Sequence, residues 1–304
     1  MTLLEVRHST IYRYQRAVGF GEHRVLSRPR DSQDQRLLEF DLTITPGPSD
    51  LHWIHDVFNN CVAIAAFDSK AAELRFDSHI VLEHTPHQGL RFRATPGARS
   101  WPLTYDEEIV PDLESYIRRR YPDDGEVAAW AHQFVRSARR TDVAHLLARM
   151  TRTIHREFAY SHRIERGTKP PLETLRATSG TCRDFALLMI EAARSLGLAA
   201  RFVTGYIYVP SRDAANVRGG GATHAWVQVF LPGAGWVEFD PTNGIVGNRD
   251  LIRVGVARDP HQALPLHGTY RGKRADFVSM DVEVHVTMLA ANEAPQATLT
   301  SARS

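Results

Sequence analysis

Three residues of this chain have the types and surroundings that nucleophilic catalysis uses: Cys182, His224 and Asp240. Cys182 stands in Ser179-Gly180-Thr181-Cys182-Arg183-Asp184, directly before an apolar stripe of Phe185, Leu188, Met189, Ala192, Ala193 and Leu196. Thr181 with Asp184 fits a capping-box variant and Gly197-Leu198 fits a helix stop. The spacing therefore predicts a helix from about Cys182 to Leu196 with the thiol in its first turn. There the unpaired N–H groups and the positive end of the helix dipole favour negative charge on sulfur, and the same groups can hold an oxyanion. A free cysteine taken alone is more often a small packed hydrophobe. Cys61, set among Val62, Ala63 and Ile64 with no helix start and no nearby cation in sequence, reads that way.

The candidate base lies in Gly219-Gly220-Gly221-Ala222-Thr223-His224-Ala225-Trp226, at the mouth of a strand and just after a glycine run. A second strand, Trp236 to Asp240, follows through Leu231-Pro232-Gly233-Ala234-Gly235. If the two form a hairpin, antiparallel pairing brings His224 and Asp240 together at its open end. Whether their side chains share a face turns on a register that a slip or bulge would alter. An imidazole can take the proton of a thiol, and a carboxylate on its far nitrogen fixes the tautomer and stabilises the imidazolium. The bland alternative is a surface histidine and a turn aspartate, since the chain has 15 histidines. Gly219 to Gly221 with Ser211 to Arg218 reads as a mobile loop gating this place.

The elements that must position these residues fall into two groups. Leu3 to about Arg93 runs in short segments rich in Val, Ile, Phe, Tyr and Thr, broken by Arg28-Pro29-Arg30, Pro46-Gly47-Pro48 and Asn59-Asn60. These are expected to be strands of a sandwich or open barrel, with Leu37 to Thr45 and Cys61 to Phe67 as examples. Helical spacing marks Glu126 to Ala138 and Val143 to Phe158, a loop is expected around Arg166 to Pro171, and strands follow at Arg201 to Val209, His224 to Phe230 and Trp236 to Asp240. The expected class is α+β: an all-β domain over 1–95, a linker over 96–125, and a core with leading helices over 126–275 in which helices pack on an antiparallel sheet. A last strand is expected within 276–290, and a frayed tail over 291–304.

Composition narrows the function. With 37 basic and 35 acidic residues the formal charge is +2, which gives no general reason to hold a phosphate backbone, so nucleic acid is not expected as a partner. The start MTLLEVRHSTIYRYQ lacks a basic segment followed by a long apolar run, and no stretch reaches bilayer length. The expectation is a cytoplasmic protein with no membrane partner. Two cysteines make no disulfide framework. His52-Trp53-Ile54-His55 in a strand-like run points its imidazoles poorly for one ion, and no Cys-x-x-Cys pair is present, so no metal is expected. Arg24, Arg28 and Arg30 form a basic group whose common explanation is a solvated face, with an acidic peptide as the alternative.

Four blocks occur in order: Gly180-Thr181-Cys182-Arg183-Asp184-Phe185-Ala186, then Leu196 to Tyr206, then Thr223-His224-Ala225-Trp226-Val227, then Gly235 to Thr242. In that order and spacing they resemble the transglutaminase-like superfamily of papain-like cysteine enzymes, over roughly Phe158 to Asn243. The earlier part, through His8 to Tyr14 and Asp56 to Asn60, resembles the β-rich N-terminal domain of bacterial transglutaminase-like proteins. The resemblance implies a papain-like core with Cys182 as nucleophile, His224 as general base and acid, Asp240 as orienting carboxylate, and independence from metal or other cofactors. Members often carry Gln after the cysteine and His two residues after the Phe. Here those places hold Arg183 and Leu187, a departure that bears on substrate preference. No Trp shortly precedes Cys182, which leaves the second oxyanion donor unassigned.

The expected activity is acyl transfer from amide bonds of peptides or proteins through a thioester, with hydrolysis favoured slightly over transfer to an amine. A non-catalytic peptide-binding module that kept the fold is the alternative.

Overall fold

The computed structural model of the chain describes residues 1–85, 99–135, 140–161, 167–209, 218 and 221–290. The expected frayed tail and most of the expected gating loop, including Gly219 and Gly220, lie outside the described residues. The chain divides into two units, one of Met1–Pro86 with Pro265–Ser304 and one of His87–Leu264. An α+β chain results, with an all-β unit and a unit in which helices pack on an antiparallel sheet.

In the first unit the described residues form one curled seven-stranded sheet, nearer to the open barrel than to the sandwich of the two expected forms. Its strands are β1 (Thr2–Val25), β2 (Gln35–Thr45), β3 (Asp50–His55), β4 (Cys61–Ala66), β5 (Lys70–His84), β15 (Leu266–Arg271) and β16 (Phe277–Met288). The run expected as several short segments at the start is one strand of 24 residues. It stays continuous because register shifts between Arg13 and Val18, and between Phe20 and His23, bend it without ending the pairing. β1 pairs with β5 and β4, and also with β16 and β15. The C-terminal segment thus completes this sheet, and the division after Leu264 falls before the expected end of the core at residue 275. Tyr14, Phe20, Ile44, Phe67 and Phe76 anchor the unit's apolar interior.

The second unit contains α1 (Val110–Ile117), α2 (Glu126–His132), α3 (Val143–Glu157), α4 (Pro171–Ala177) and α5 (Cys182–Ser195). Two-residue strands tie its loops: β6 (Ser100–Trp101) with β7 (Thr141–Asp142), and β8 (Ala159–Tyr160) in parallel with β9 (Ser179–Gly180). The sheet holds β10 (Ala200–Ile207), β11 (His224–Leu231), β12 (Gly235–Asp240), β13 (Ile245–Val246) and β14 (Leu251–Ala257) in the order β13-β12-β11-β10-β14. Helix α1 lies in the segment expected as linker, and α4 begins where a loop was expected. Among the described residues no helix is long and apolar enough to cross a membrane.

Helix α5 is the centre of this unit. The sequence shows one apolar stripe, yet Leu187, Ile190, Glu191 and Arg194 on the remaining face are buried as well. Glu191 and Arg194 tolerate this because they pair with each other at 2.9 Å, and because Glu191 Oε2 accepts the backbone N–H of Arg120 at 3.0 Å and of Tyr121 at 3.2 Å. The helix ends as expected: Gly197 at φ +79° lets the N–H of Leu198 reach the carbonyl of Ala193 and its own N–H reach that of Arg194, each at 3.0 Å.

Candidate active site

Cys182 is the first residue of α5 and is 6% exposed. The turn that presents it is fixed by Asp184, whose Oδ2 accepts the backbone N–H of Thr181 at 2.9 Å and the Thr181 hydroxyl at 3.0 Å. Its Oδ1 accepts the N–H of Lys169 at 2.7 Å, so this buried carboxylate is satisfied by the chain that leads into the helix.

His224 opens β11 and Asp240 closes β12. The pairing of these strands runs from Leu231 opposite Gly235 to Val227 opposite Phe239. One step further sets Trp226 opposite Asp240, and His224, two residues before Trp226, points to that same side. The question of a shared face is thereby answered, through a diagonal and not a direct pair. His224 Nε2 lies 2.8 Å from Asp240 Oδ2, with both side chains wholly buried. The Trp226 ring lies along His224, centroids 5.9 Å apart and planes 27° from parallel.

Asp240 has further partners that sequence reading missed. Its Oδ1 accepts the N–H of Thr242 at 2.8 Å, and its Oδ2 accepts Asn243 Nδ2 at 2.9 Å. Asn243 also binds the backbone of Arg218 in both directions, accepting from its N–H at 2.8 Å and donating to its carbonyl at 3.2 Å. The signal for it was the turn-forming run Asp240-Pro241-Thr242-Asn243-Gly244, since Asn favours such turns.

The charges follow from these contacts. Burial alone would push the His224 imidazole down, but the charge and hydrogen bond of Asp240, with Cys182 acting in the same direction, outweigh it and raise it above its ordinary range. Burial alone would push Asp240 up, but His224, Asn243 and the Thr242 N–H outweigh it and hold it below the usual carboxylate range. Asp240 occupies Nε2, which leaves Nδ1 as the other ring nitrogen. Nδ1 is buried and makes no hydrogen bond of ordinary geometry in the resting protein.

Tyr160 is the other residue that sequence reading missed here. It pairs with Gly180 in the β8–β9 ladder, and its ring centroid is 6.4 Å from that of Phe185. Burial, then the charges of Cys182 and Asp240, push its phenol up, while Arg183 and Arg218 oppose the change. It is therefore a neutral hydroxyl.

Cys61 lies in the first unit, on β4. The antiparallel pairing of Ala63 with Val25 carries the chain back past it, so that Arg28 and Arg30 act on its thiol. The sequence reading saw no cation there because the two arginines are about thirty residues away in the chain. Burial nonetheless pushes the Cys61 thiol up. His52, of the pair considered for metal, is held by Asp50 at 2.8 Å, and among the described residues no three His, Cys, Asp or Glu side chains form a metal-binding group.

Residues 4–83 match the family described as the bacterial transglutaminase-like N-terminal region, and residues 128–241 match the transglutaminase-like superfamily. An uncharacterized protein of Mycobacterium leprae is 40% identical over 120 residues, covering 39% of this chain and 41% of its own. An uncharacterized protein of Mycobacterium tuberculosis is 28% identical over 291 residues, covering 92% of this chain and 91% of its own. A solved structure of a candidate cysteine protease from Cytophaga hutchinsonii shares the fold, with a TM-score of 0.69 at 18% identity over 95% of this chain and 91% of that one.

Proposed function

Since the chain belongs to the transglutaminase-like superfamily, with a bacterial transglutaminase-like N-terminal region ahead of the core, we propose that it is a cysteine-nucleophile acyl-transfer enzyme acting on amide bonds of peptides or proteins. The observation that carries this reading is the buried contact of 2.8 Å between His224 and Asp240, on an imidazole whose proton Cys182, at the start of α5, also favours.

In this reading the Cys182 sulfur attacks the amide carbonyl while His224 holds the thiol proton. The carbon becomes tetrahedral, and its oxyanion is met by N–H groups of the first turn of α5. His224 then gives the proton to the departing amine as the C–N bond breaks, leaving a thioester on Cys182. Water, deprotonated by the same imidazole, releases the acid and restores the thiol. A primary amine in place of water gives a new amide. Hydrolysis is slightly favoured, because water is always available. Asp240 holds His224 in the tautomer and orientation that both proton transfers need.

The test is single-turnover acylation by an activated acyl donor, read by intact mass, on variants first shown to be folded. Cys182→Ala should form no thioester. His224→Ala should acylate more slowly by about a hundred- to ten-thousand-fold. Acylation of folded Cys182→Ala, or an unimpaired His224→Ala, would overturn the reading. Product analysis with and without added primary amine separates hydrolysis from transfer.

A further inference from the structure

Two arginines adjoin the group of Cys182, His224 and Asp240, and among the described residues no carboxylate pairs with either. Arg183 follows Cys182 directly in the first turn of α5 and is half-buried. Among the described residues it forms no hydrogen bond and no ion pair. Arg218, also half-buried, donates Nη1 to the carbonyls of His155 at 3.1 Å and Phe158 at 3.4 Å, and no carboxylate meets it among the described residues. Its backbone is held by Asn243, which in turn holds Asp240. Arg183 adjoins Cys182 in the first turn of α5, and Asn243 ties Arg218 to the carboxylate that holds His224, so both arginines belong to the surroundings of this group.

Elsewhere in this unit several arginines meet a carboxylate, while Arg201, also half-buried, meets the Gln228 amide oxygen and lies over the Trp236 ring. Arg119 meets Asp123, Arg120 meets Asp259, Arg194 meets Glu191, and Arg253 meets Glu238. A partly desolvated guanidinium without a counter-ion is unfavourable, and its planar fork fits a carboxylate through paired N–H···O bonds.

We propose that Arg183 and Arg218 form a carboxylate-binding pair beside Cys182, so that the preferred acyl donor carries a free carboxylate close to the scissile amide. The inference rests on the reading of Cys182 as the nucleophile and adds to it the class of substrate, an acidic peptide. Arg183, directly after the nucleophile, becomes the residue that sets this preference.

The experiment compares isosteric benzyl thioesters, N-acetyl-aspartyl against N-acetyl-asparaginyl and N-acetyl-glutamyl against N-acetyl-glutaminyl. The wild type should favour the acidic member of at least one pair by about tenfold or more in kcat/KM, mainly through KM, as charge-assisted hydrogen bonds allow. The ratio should fall toward one in Arg183→Gln and in Arg218→Gln, and Arg183→Lys should retain part of it. A wild type with no acidic preference, or a preference undiminished in both glutamine variants, would refute the pair. Titration of the corresponding N-acetyl amino acid amides into folded Cys182→Ala reads the same preference without chemistry. Tighter binding of the acidic amides supports the carboxylate site even if thioester formation fails, whereas equal binding overturns it. Acylation without acidic preference overturns this inference and leaves the nucleophile standing.

Discussion

Asp240 reaches His224 across a diagonal. The register of β11 and β12 sets Trp226 opposite Asp240, and the 2.8 Å contact joins residues two positions out of step. Trp226 lies along the imidazole and fills the place that a direct partner would take. The carboxylate is therefore held by its own turn, through Thr242 and Asn243, as much as by the ladder.

Replacing Asp240 by Asn should lower stability by about 3 to 5 kcal/mol near pH 6, the usual consequence of removing one partner of a buried pair. The pH dependence follows from the two shifts. His224 is raised, so its contribution is complete below its unfolded value of about 6.5 and is lost as pH rises through the folded value. Asp240 is lowered, so its contribution is present above its unfolded value of about 3.9 and is lost as pH falls through the folded value. The stability gap between wild type and variant should be widest from about pH 4 to 6.5 and narrower on both sides. Urea unfolding across that range checks it, and a gap independent of pH would show that the pair is not ionised.

Iodoacetamide at mildly acidic pH should alkylate Cys182 in preference to Cys61, by about tenfold or more. His224, on which Cys182 acts, retains its proton there, whereas burial pushes the Cys61 thiol up despite Arg28 and Arg30. Peptide mapping of the labelled folded protein reads the ratio, and equal labelling would remove the basis for the preference.

Gly205→Ala should destabilise the second unit by about 1 to 3 kcal/mol or more, the usual range for overpacking. Gly205 pairs with His224, and a Cβ there would sit 2.0 Å from the Ile252 carbonyl oxygen and 2.8 Å from the Trp226 ring. Gly19→Ala is the control, since its added Cβ would meet nothing nearer than 3.7 Å. Thermal unfolding distinguishes the two, and equal stability of both variants would mean that β14 yields easily at Ile252.

Arg194→Met should cost about 3 to 5 kcal/mol, because the buried Glu191 loses its partner at 2.9 Å. Adding Glu191→Gln should recover part of the loss. The measurement is a double-mutant cycle in urea, in which additive effects would count against direct coupling.

The features written locally in the chain were legible. Thr181 and Asp184 mark the start of α5, Gly197 marks its end, and Leu231 to Gly235 marks the turn before β12. What depends on distant partners was not. Glu191 and Arg194 look like the polar side of an amphipathic helix, because a charge reads as exposed until its buried counter-ion is known. Arg28 and Arg30 come to Cys61 only through strand pairing. The diagonal between His224 and Asp240 depends on where the ladder stops, and hairpin loop length does not determine that. Asn243 was visible as a turn residue, but its hold on Asp240 and Arg218 is a matter of geometry.

The strand that closes the first sheet has an effect on how the chain acquires its structure during synthesis. Glu5 and Thr287, hydrogen-bond partners at the two sides of the β1–β16 ladder, are separated by 282 positions in sequence. Everything needed for the second unit leaves the ribosome before β15 and β16 exist. An N-terminal sheet waiting through that interval has one side of β1 unpaired, the kind of edge that invites wrong partners. A nascent chain halted after Leu264 would carry the whole second unit and an unfinished first one. The N-terminal half, although made first, is the last to be completed.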